Sequence, residues 1–388
     1  MRGGIHVAGD ARKYTLLVSP VHRAPATTAT TFLLVPPPVR SARRRYCIIM
    51  LSAVGDAVHV LPVVNAIKRD DPQSHITWVL QPGPASLVDG HPSVDELVRF
   101  DRSRGWRAFS DVRSQLRAQH FDVALGLQDY LKAGILTAMV PAPIRLGYDR
   151  ARARDANWLF TNRRIPPHEP QHIQDEYLEF VSALGIDSTT MEWNIGPWGA
   201  EREWQREFVK PFERPIVSLV IGTSRAQKDW IADRWGELAD ALSGRFGLQP
   251  VLVGGRSPRE EATERVILER TRHKPVSALN SGLRRLVAIL DASTLVISLD
   301  TGPLHMAVAL GRPVISLLGF SNPLRTGPYR ASQELIVNAY GDMWNGAHLT
   351  TDRRADRMQT ISVADVLAKV AIWKERYSDR RATSAPNS

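Results

Sequence analysis

Chemistry-bearing side chains are most concentrated in residues 299–305, LDTGPLH. This segment follows an apolar, β-branched run and precedes a helical pattern, so we expect a strand, a polar loop and a helix in succession. Pro303 suits the first helical turn, and Gly302 lets the backbone approach a ligand closely. The free N–H groups of such a helix start attract phosphate groups, and Asp300 and His305 add titratable groups there. An ordinary loop with a capped helix is the alternative interpretation.

A second candidate is the turn Gly55-Asp56, which lies between the apolar run Tyr46–Leu51 and a helical pattern at Ala57–Lys68. A carboxylate at a helix N-terminus is kept ionised by the helix dipole and is available as a general base. The alternative is that Asp56 only caps the helix.

A third candidate is the turn at residues 222–225, GTSR, which follows an apolar run in the second half of the chain. Its small hydroxyl residues, Thr223 and Ser224, and the nearby Lys228 suit a diphosphate, on which the lysine would act as a point charge. A solvated surface loop is the competing interpretation.

Further along, Gly254 and Gly255 end another apolar run, and Glu260 and Glu261 begin the next helical pattern. Close backbone approach together with a carboxylate suits a ribose, although helix-capping acids explain the glutamates equally well. The spacing of the histidines near these turns fits no metal site, and the sequence has no Asp-x-Asp pair. The pattern therefore favours a site that works without a metal.

An alternation of strands and helices must position these turns. In the first half we predict the helix Ala57–Lys68 and four strands: Tyr46–Leu51, His75–Leu80, Glu96–Phe100 and Phe121–Leu127. In the second half we predict the strands Pro215–Ile221, Pro250–Gly254, Leu295–Leu299 and Pro313–Leu318 and the helices Asp233–Ser243, Arg259–Thr271, Leu283–Asp291, Pro303–Leu310 and Val363–Tyr377. The pattern between residues 193 and 214 is irregular and indicates a connection between two domains.

This order of elements predicts an α/β protein with two facing Rossmann-like domains, mostly parallel sheets, and an interdomain cleft at the carboxyl ends of the strands. The G-x-G-x-x-G fingerprint is missing from both first turns, which argues against a dehydrogenase.

Composition describes a soluble globular protein, with 43% hydrophobic and 23% charged residues and no apolar segment long enough to cross a membrane. The single cysteine, Cys47, excludes an internal disulfide and a cysteine cluster, and we expect it in the core. The net charge of +10 is concentrated in residues 1–45, which hold eight basic residues against one acid. The remaining chain carries only +3, so we expect no nucleic-acid partner.

The basic segment 1–45 is rich in Pro, Thr and Ala and lacks periodicity, so we expect it to be disordered, and the polar end at residues 378–388 likewise. The basic segment has no secretory signal pattern. It is open whether it attracts anionic lipid or nucleic acid weakly, or is an extension from an upstream start codon that does not belong to the native protein.

Together these motifs resemble glycosyltransferase family 9, the ADP-heptose:lipopolysaccharide heptosyltransferases. The resemblance covers residues 46–375. It rests on matching pieces that run in order: residues 51–56 (LSAVGD) with 61–62 (LP) and 67–68 (IK), 76–79 (ITWV), 145–150 (RLGYDR) with 162–164 (NRR), 228–230 (KDW), 300–305 (DTGPLH) and 319–323 (GFSNP).

The resemblance implies a GT-B architecture. Residues 46–195 would bind the acceptor, 196–214 would link the domains, and 215–362 would bind the nucleotide sugar, followed by the helix 363–377. Transfer would proceed with inversion and without a metal, and ADP-heptose would be a substrate, so no cofactor is expected. The acceptor would be a lipid-linked saccharide of the lipopolysaccharide core. A cytoplasmic enzyme is implied, with peripheral contact to the inner membrane left open.

Residue roles follow from the same resemblance. Asp56 resembles the catalytic base, and Lys228, with Thr223 and Ser224, resembles the group that holds the departing diphosphate. Either Glu260 or Glu261 resembles the ribose contact. The remaining expected donor contacts are Gly254, Gly255, Asp300, Thr301, Gly302, Pro303 and His305, and the expected acceptor contacts are Gly55, Gln128 and Lys132. Independently of the resemblance, Arg102, Arg104 and Arg107 are expected to contact an anionic acceptor, although a solvated basic segment explains them equally well.

One departure concerns the acceptor side. Where members similar to the first inner-core enzyme often carry a glycine after the glutamine, this chain has Asp129 and Tyr130 after Gln128. Three other interpretations remain: a family member with another nucleotide sugar for a different surface glycan, a nucleotide-sugar epimerase, and a non-catalytic binding protein on the same fold. An epimerase would need a second acid–base pair, and the intact Asp56 and Lys228 argue against a silent protein.

Overall fold

The computed structural model describes residues 43–346 and 348–378, and the expectations for residues 1–42 and 379–388 lie outside the described residues. The described chain contains two parallel six-stranded sheets, with strand orders β3-β2-β1-β4-β5-β6 and β12-β11-β10-β7-β8-β9, and helices on both faces. We call the parts built on these sheets the N-terminal half and the C-terminal half. This arrangement confirms the predicted α/β fold with two Rossmann-like parts.

The N-terminal half alternates strands and helices in chain order. Its strands and helices are β1 (Arg45–Ile49), α1 (Val54–Asp70), β2 (His75–Leu80), α2 (Pro82–Val88), β3 (Glu96–Arg99), α3 (Trp106–Leu116), β4 (Val123–Gly126), α4 (Leu131–Met139), β5 (Ile144–Gly147), β6 (Arg163–Arg164) and α5 (Ile173–Ala183).

The C-terminal half repeats the alternation and ends in a small hairpin and a long helix. After α6 (Gly199–Val209) its elements are β7 (Ile216–Val220), α7 (Ala232–Phe246), β8 (Gln249–Val253), α8 (Pro258–Arg270), β9 (Val276–Ser277), α9 (Leu283–Ala292), β10 (Leu295–Leu299), α10 (Gly302–Ala309), β11 (Val314–Leu318), α11 (Pro323–Thr326), β12 (Ile336–Asn338), the hairpin β13 (Trp344–Asn345) and β14 (His348–Leu349), and α12 (Val363–Tyr377).

Central strands and helices of both halves join in one apolar core. The inner faces of both sheets, α1 and α10 contribute to a single cluster of buried side chains. Residues 57–67 of α1 are all buried, as is typical of a helix enclosed on every side. Separate clusters cover the outer faces, with α3 and α4 on the first sheet and α7 and α12 on the second. Cys47 is buried and unpaired in the cluster between the first sheet and the helices α3 and α4, as predicted.

The connection between the halves contains a helix that the sequence analysis missed. Within residues 196–214, predicted as a linker, α6 runs from Gly199 to Val209. Glycine and proline flank this segment rather than interrupt it, and Trp204 and Phe208 stack one turn apart with ring centroids at 4.9 Å. From α9, Arg284 pairs with Glu201 of α6 at 2.7 Å and donates to the carbonyls of Leu87 and Ile195 at 2.9 and 3.0 Å. This arginine therefore ties the connection to both halves.

Among residues 43–346 and 348–378, no helix is both long enough and apolar enough to span a bilayer.

Candidate active site

Two of the predicted loops meet where α1 and α10 begin. A Cβ atom on Gly302 would lie 2.9 Å from Val54 Cγ1 and 3.3 Å from the Gly55 nitrogen. A Cβ on Gly55 would lie 2.9 Å from the His305 ring. Both glycines are therefore needed for the two helix starts, one from each half, to approach this closely.

Asp56 is held at this junction by two neutral hydrogen-bond donors. The Ala53 backbone N–H donates to one carboxylate oxygen at 2.7 Å, and the Tyr177 hydroxyl of α5 donates to the other at 2.9 Å. Desolvation by the surrounding protein raises the pKa of Asp56 above its ordinary value, and these two bonds offset only part of that rise. Asp56 is thus oriented and more basic than an exposed carboxylate.

The turn before Asp56 is shaped by Gln128, which was expected to contact the acceptor. Its side-chain oxygen accepts the Leu51 N–H at 2.8 Å and the Tyr130 hydroxyl at 2.7 Å. Its amide nitrogen donates to the Ser52 carbonyl. The structure therefore shows Gln128 as a support of the turn, and its contact with an acceptor stays a prediction.

Lys228 faces the same junction from the C-terminal half. Its ammonium lies 2.7 Å from the Asp300 carboxylate and donates to the Asp300 carbonyl at 3.3 Å. The positive charge also lies near enough to act on Asp56, whose pKa it lowers. Phe320 lies beneath the ammonium, 5.7 Å from ring centroid to nitrogen. The fold thus brings together the two residues expected to do the chemistry.

Asp229, which the sequence analysis did not single out, orders the loop that carries Lys228. It accepts hydrogen bonds from the Thr223 backbone N–H at 3.1 Å and the Thr223 hydroxyl at 2.7 Å. Arg259 pairs with Asp229 at 3.1 Å and donates to the Thr223 carbonyl at 2.8 Å. Thr223 is therefore occupied in shaping the loop, while Ser224 is exposed. Their contacts with a diphosphate remain predictions.

A strongly cationic pocket of about 230 Å³ lies beside Lys228. Arg225, Arg325 and Arg353 line it with Lys228, and Asp352 is its one acidic lining residue. Arg325 already pairs with Glu176 at 2.6 Å, whereas Arg225 and Arg353 form no ion pair with any described residue. The two guanidiniums without a carboxylate partner suit a ligand with several anionic oxygens.

The two candidate glutamates have very different positions. Glu260 is 9% exposed and accepts hydrogen bonds from the backbone N–H groups of Gly255 at 2.7 Å and Ser257 at 2.9 Å. A Cβ on Gly254 would lie 2.8 Å from its carboxylate. Glu261 is exposed and pairs with Arg256 at 2.8 Å. Glu260 therefore lies at the carboxyl ends of β7 and β8, whereas Glu261 points to solvent.

His305, an expected donor contact, lies in the packing between α1 and α10. Its ring is 4.2 Å from that of His59 and is only 7% exposed. Burial lowers the pKa of His305 well below its ordinary value, and lowers that of His59 and of the adjacent His172 to about 4. The three rings are therefore neutral near pH 7. A direct contact between His305 and the donor stays a prediction.

The expected acceptor contacts outside the junction lie on the opposite face of the N-terminal half from α1. Arg102, Arg104 and Lys132 are all exposed, and Arg104 pairs with Asp111 at 2.6 Å. No contact joins them to Asp56 in the described part of the chain. Gly55, in contrast, directly precedes Asp56 at the junction.

Tyr177 is the functional candidate that sequence reasoning missed. The apolar residues at positions 173, 177, 180, 181 and 184 have helical spacing, so α5 could have been predicted. A tyrosine on such a face usually indicates core packing. Its hydrogen bond to a residue 121 positions earlier has no signal in the sequence.

In the described residues, no group of three or more His, Cys, Asp or Glu side chains is placed to hold a metal ion.

Comparison with known sequences gives the family. The profile of glycosyltransferase family 9 (heptosyltransferase) matches residues 110–351. The lipopolysaccharide core heptosyltransferase OpsX of Haemophilus influenzae is 30% identical over 300 residues, which cover 77% of this chain and 85% of that protein. Lipopolysaccharide heptosyltransferase 1 of Pseudomonas aeruginosa is 28% identical over 303 residues, covering 74% of this chain and 82% of that protein.

Solved structures share the fold. A family 9 glycosyltransferase from Veillonella parvula superposes with a TM-score of 0.73 at 23% identity, covering 85% of this chain and 96% of that one. The Escherichia coli heptosyltransferase WaaC with ADP gives a TM-score of 0.66 at 23% identity, covering 86% and 99%. At these identities the structures establish the GT-B fold alone, whereas the family profile and the OpsX relative establish the family. This chain belongs to glycosyltransferase family 9 and is a glycosyltransferase.

Proposed function

We propose that this enzyme transfers heptose from ADP-heptose to an acceptor of the lipopolysaccharide inner core, with inversion at the anomeric carbon and without a metal. The observation that carries the proposal is the junction of α1 and α10, where Lys228 of one half lies close enough to Asp56 of the other to lower the pKa of that carboxyl. The relative OpsX, a lipopolysaccharide core heptosyltransferase, and the structure of the Escherichia coli heptosyltransferase WaaC with ADP support the choice of sugar and nucleotide.

Asp56 acts as the base in this proposal. The acceptor hydroxyl oxygen attacks the anomeric carbon, and its proton passes to the Asp56 carboxylate. A positioned base of this kind contributes about 10²–10⁴-fold to the rate. The hydrogen bonds from Ala53 and Tyr177 direct the carboxylate, and desolvation raises its proton affinity toward the range that is useful near neutral pH.

Lys228 stabilises the leaving group. As the bond between the anomeric carbon and the phosphate oxygen breaks, its electron pair remains on the diphosphate, where negative charge develops. A preorganised cation at that position lowers the barrier because it acts where charge appears. Lys228 is the cation we assign to this step, and the pocket lined by Arg225, Arg325 and Arg353 accommodates the rest of the diphosphate.

Glu260 is the proposed ribose contact. It is fixed by backbone N–H groups at the carboxyl ends of β7 and β8, where ligands of open α/β sheets bind. Asp300, Thr301 and Gly302 lie at the start of α10 and would contact the sugar and its phosphates. The acceptor would be lipid-linked, and the enzyme would work in the cytoplasm.

Ligand-induced thermal stabilisation tests the donor. We would compare ADP, UDP, GDP and CMP without added metal. A nucleotide present at about 100 times its Kd should stabilise the fold by about 2.7 kcal/mol. A selective response to ADP is the expected result. Stabilisation by UDP or GDP alone would mean that the donor sugar is linked to that nucleotide and not to ADP. No response to any of the four nucleotides would contradict the assignment as a nucleotide-sugar transferase.

A further inference from the structure

Large exposed apolar side chains lie on the outer side of the N-terminal half. Three of its large apolar side chains are exposed: Trp106 is 79% exposed, Leu159 is 62% exposed and Leu131 is 42% exposed. Trp106 begins α3, Leu131 begins α4, and Leu159 lies in the 3₁₀ turn Asn157–Phe160. We call these three residues the apolar corner.

The elements that carry the corner pack side by side. α4 contacts both α3 and the turn at residues 157–160. The fit to the turn is tight, because a Cβ on Gly134 of α4 would lie 2.7 Å from the Phe160 ring and 2.9 Å from the Asn157 amide. The turn is further fixed by Asn157, whose amide donates to the Tyr130 carbonyl at 2.8 Å. α4 and the turn at residues 157–160 are therefore fixed against each other.

The corner lies at the edge of the sheet that also carries the proposed base. α4 follows β4 as α1 follows β1, and these two strands are parallel neighbours, whereas α3 follows β3, the end strand of the same parallel sheet, after the 3₁₀ turn Arg102–Arg104. Their carboxyl ends therefore share one edge. The residues that begin α4 also follow Gln128, which supports the turn before Asp56.

Positive charge surrounds the corner. Of the acids nearby, Asp111 pairs with Arg104 at 2.6 Å and Asp129 pairs with Arg154 at 2.6 Å. Asp101 and Asp155 form no ion pair with any described residue. Several exposed cations form no ion pair with any described residue: Arg102, Arg107, Lys132, Arg150, Arg163 and Arg164. Two of them enclose one indole, because the Arg150 and Arg164 guanidiniums lie 4.1 and 5.4 Å from the Trp158 ring centroid.

We infer that the apolar corner and its surrounding cations dock the enzyme on an anionic lipid bilayer. An exposed tryptophan and leucines fit the boundary between headgroups and acyl chains, and arginine and lysine fit anionic headgroups. Exposed large apolar side chains beside an excess of positive charge are unfavourable on a surface that contacts only water, and both become favourable against an anionic bilayer. The inference extends the proposed function, on which it rests for the idea that the acceptor is lipid-linked. Docking here would turn the edge with Asp56 toward the bilayer that carries the acceptor.

Binding to acceptor-free vesicles tests the inference. The full chain should cosediment with phosphatidylcholine vesicles that contain phosphatidylglycerol, less with phosphatidylcholine alone, and less at high salt. W106S and L159S should each weaken binding about tenfold. R107Q combined with R163Q should weaken it about 25-fold, from about fivefold for each basic side chain.

Matched controls lie on the C-terminal half. Trp344 is 56% exposed on the β13–β14 hairpin, and Arg265 is exposed on α8. W344S and R265Q should bind the anionic vesicles as the wild type does. Equal losses in the corner variants and these controls would overturn the inference, because binding would then follow overall charge or hydrophobicity.

A local probe shows whether the corner enters the bilayer. Because Cys47 is buried, a polarity-sensitive thiol dye can be placed selectively on an introduced cysteine. The dye on L159C should shift to the blue with anionic vesicles, whereas the dye on W344C should not. The reverse pattern would locate docking elsewhere.

Transfer assays separate this inference from the proposed function. W106S should keep activity on a water-soluble acceptor fragment and lose it on acceptor in vesicles. Vesicle binding by a protein with no transferase activity would refute only the function. Activity on vesicles that is unaffected by W106S and L159S would refute only the docking surface.

Discussion

Asp56 and Asp300 occupy matching places in the two halves, each just after a central strand and at the start of a helix, yet their surroundings differ. Among the described residues, Asp56 receives hydrogen bonds only from two neutral donors, the Ala53 N–H and the Tyr177 hydroxyl. Asp300 lies 2.7 Å from the Lys228 ammonium. Desolvation raises the pKa of Asp56 above its ordinary value, whereas the charge of the Asp300 carboxylate is balanced by the adjacent ammonium.

The difference indicates how the work is divided. The N-terminal half presents the proposed base, Asp56, whose hydrogen-bond partners are already in place. The C-terminal half presents a cation that is paired with a carboxylate, so an incoming diphosphate must share or replace that partner. The partners of Asp56 are in place before the substrates bind, whereas Lys228 must exchange its partner when the diphosphate binds. We therefore expect variants of Asp56 and of Lys228 to differ in their effect on ADP affinity.

The largest effect should follow D56N. Removing the base should lower kcat by about 10²–10⁴-fold while ADP affinity stays nearly unchanged. Transfer rates and ADP binding by calorimetry measure the two quantities. D129N is the matched control, since Asp129 pairs with Arg154 and only its charge reaches Asp56. Equal loss of ADP binding and turnover in D56N would contradict the base assignment.

K228A should affect both binding and turnover. Without the ammonium, kcat should fall by about 10²–10³-fold, because the charge that develops on the diphosphate loses its partner. ADP affinity should fall about tenfold as well. K274A, which changes an exposed lysine of the same half, should behave as the wild type. An unchanged ADP affinity in K228A would remove Lys228 from the diphosphate site.

E260Q should weaken ADP binding about tenfold, through loss of a charge-assisted hydrogen bond to the ribose. E261Q should have no effect, because Glu261 points to solvent. The sharper measurement compares ADP with its 2′- and 3′-deoxy analogues. The wild type should discriminate against at least one of them and E260Q should not. Discrimination that persists in E260Q would assign the glutamate to helix capping alone.

The smallest effect should follow Y177F, and it should depend on pH. The Tyr177 hydroxyl stabilises the ionised form of Asp56, so its removal should raise the pKa of Asp56 further. The acidic limb of the kcat profile should move up by about one pH unit, with little loss at alkaline pH. Unfolding measurements serve as the control for stability. A uniform loss across the pH range would indicate a purely structural role.

The order of strands and helices was largely predictable because it depends on local spacing. Apolar runs between polar turns predicted β7, β8, β10 and β11 within one or two residues of their bounds. The connection at 196–214 was harder, because its charged residues and flanking Gly and Pro obscure the helical spacing of α6. α5 has regular spacing and was nevertheless overlooked.

At the site, the sequence by itself predicted which turns would carry chemistry, because the motifs at Asp56, Lys228 and residues 300–305 resemble those of glycosyltransferase family 9. Only the tertiary structure decided that Glu260 is buried and Glu261 exposed, and that the His305 ring packs against His59. It also gave Asp56 its hydrogen-bond partner on α5. The physical reason is the distance along the chain over which each kind of interaction acts. Periodicity and turn chemistry act over a few residues, whereas burial and the hydrogen bond between Tyr177 and Asp56 depend on how distant helices pack.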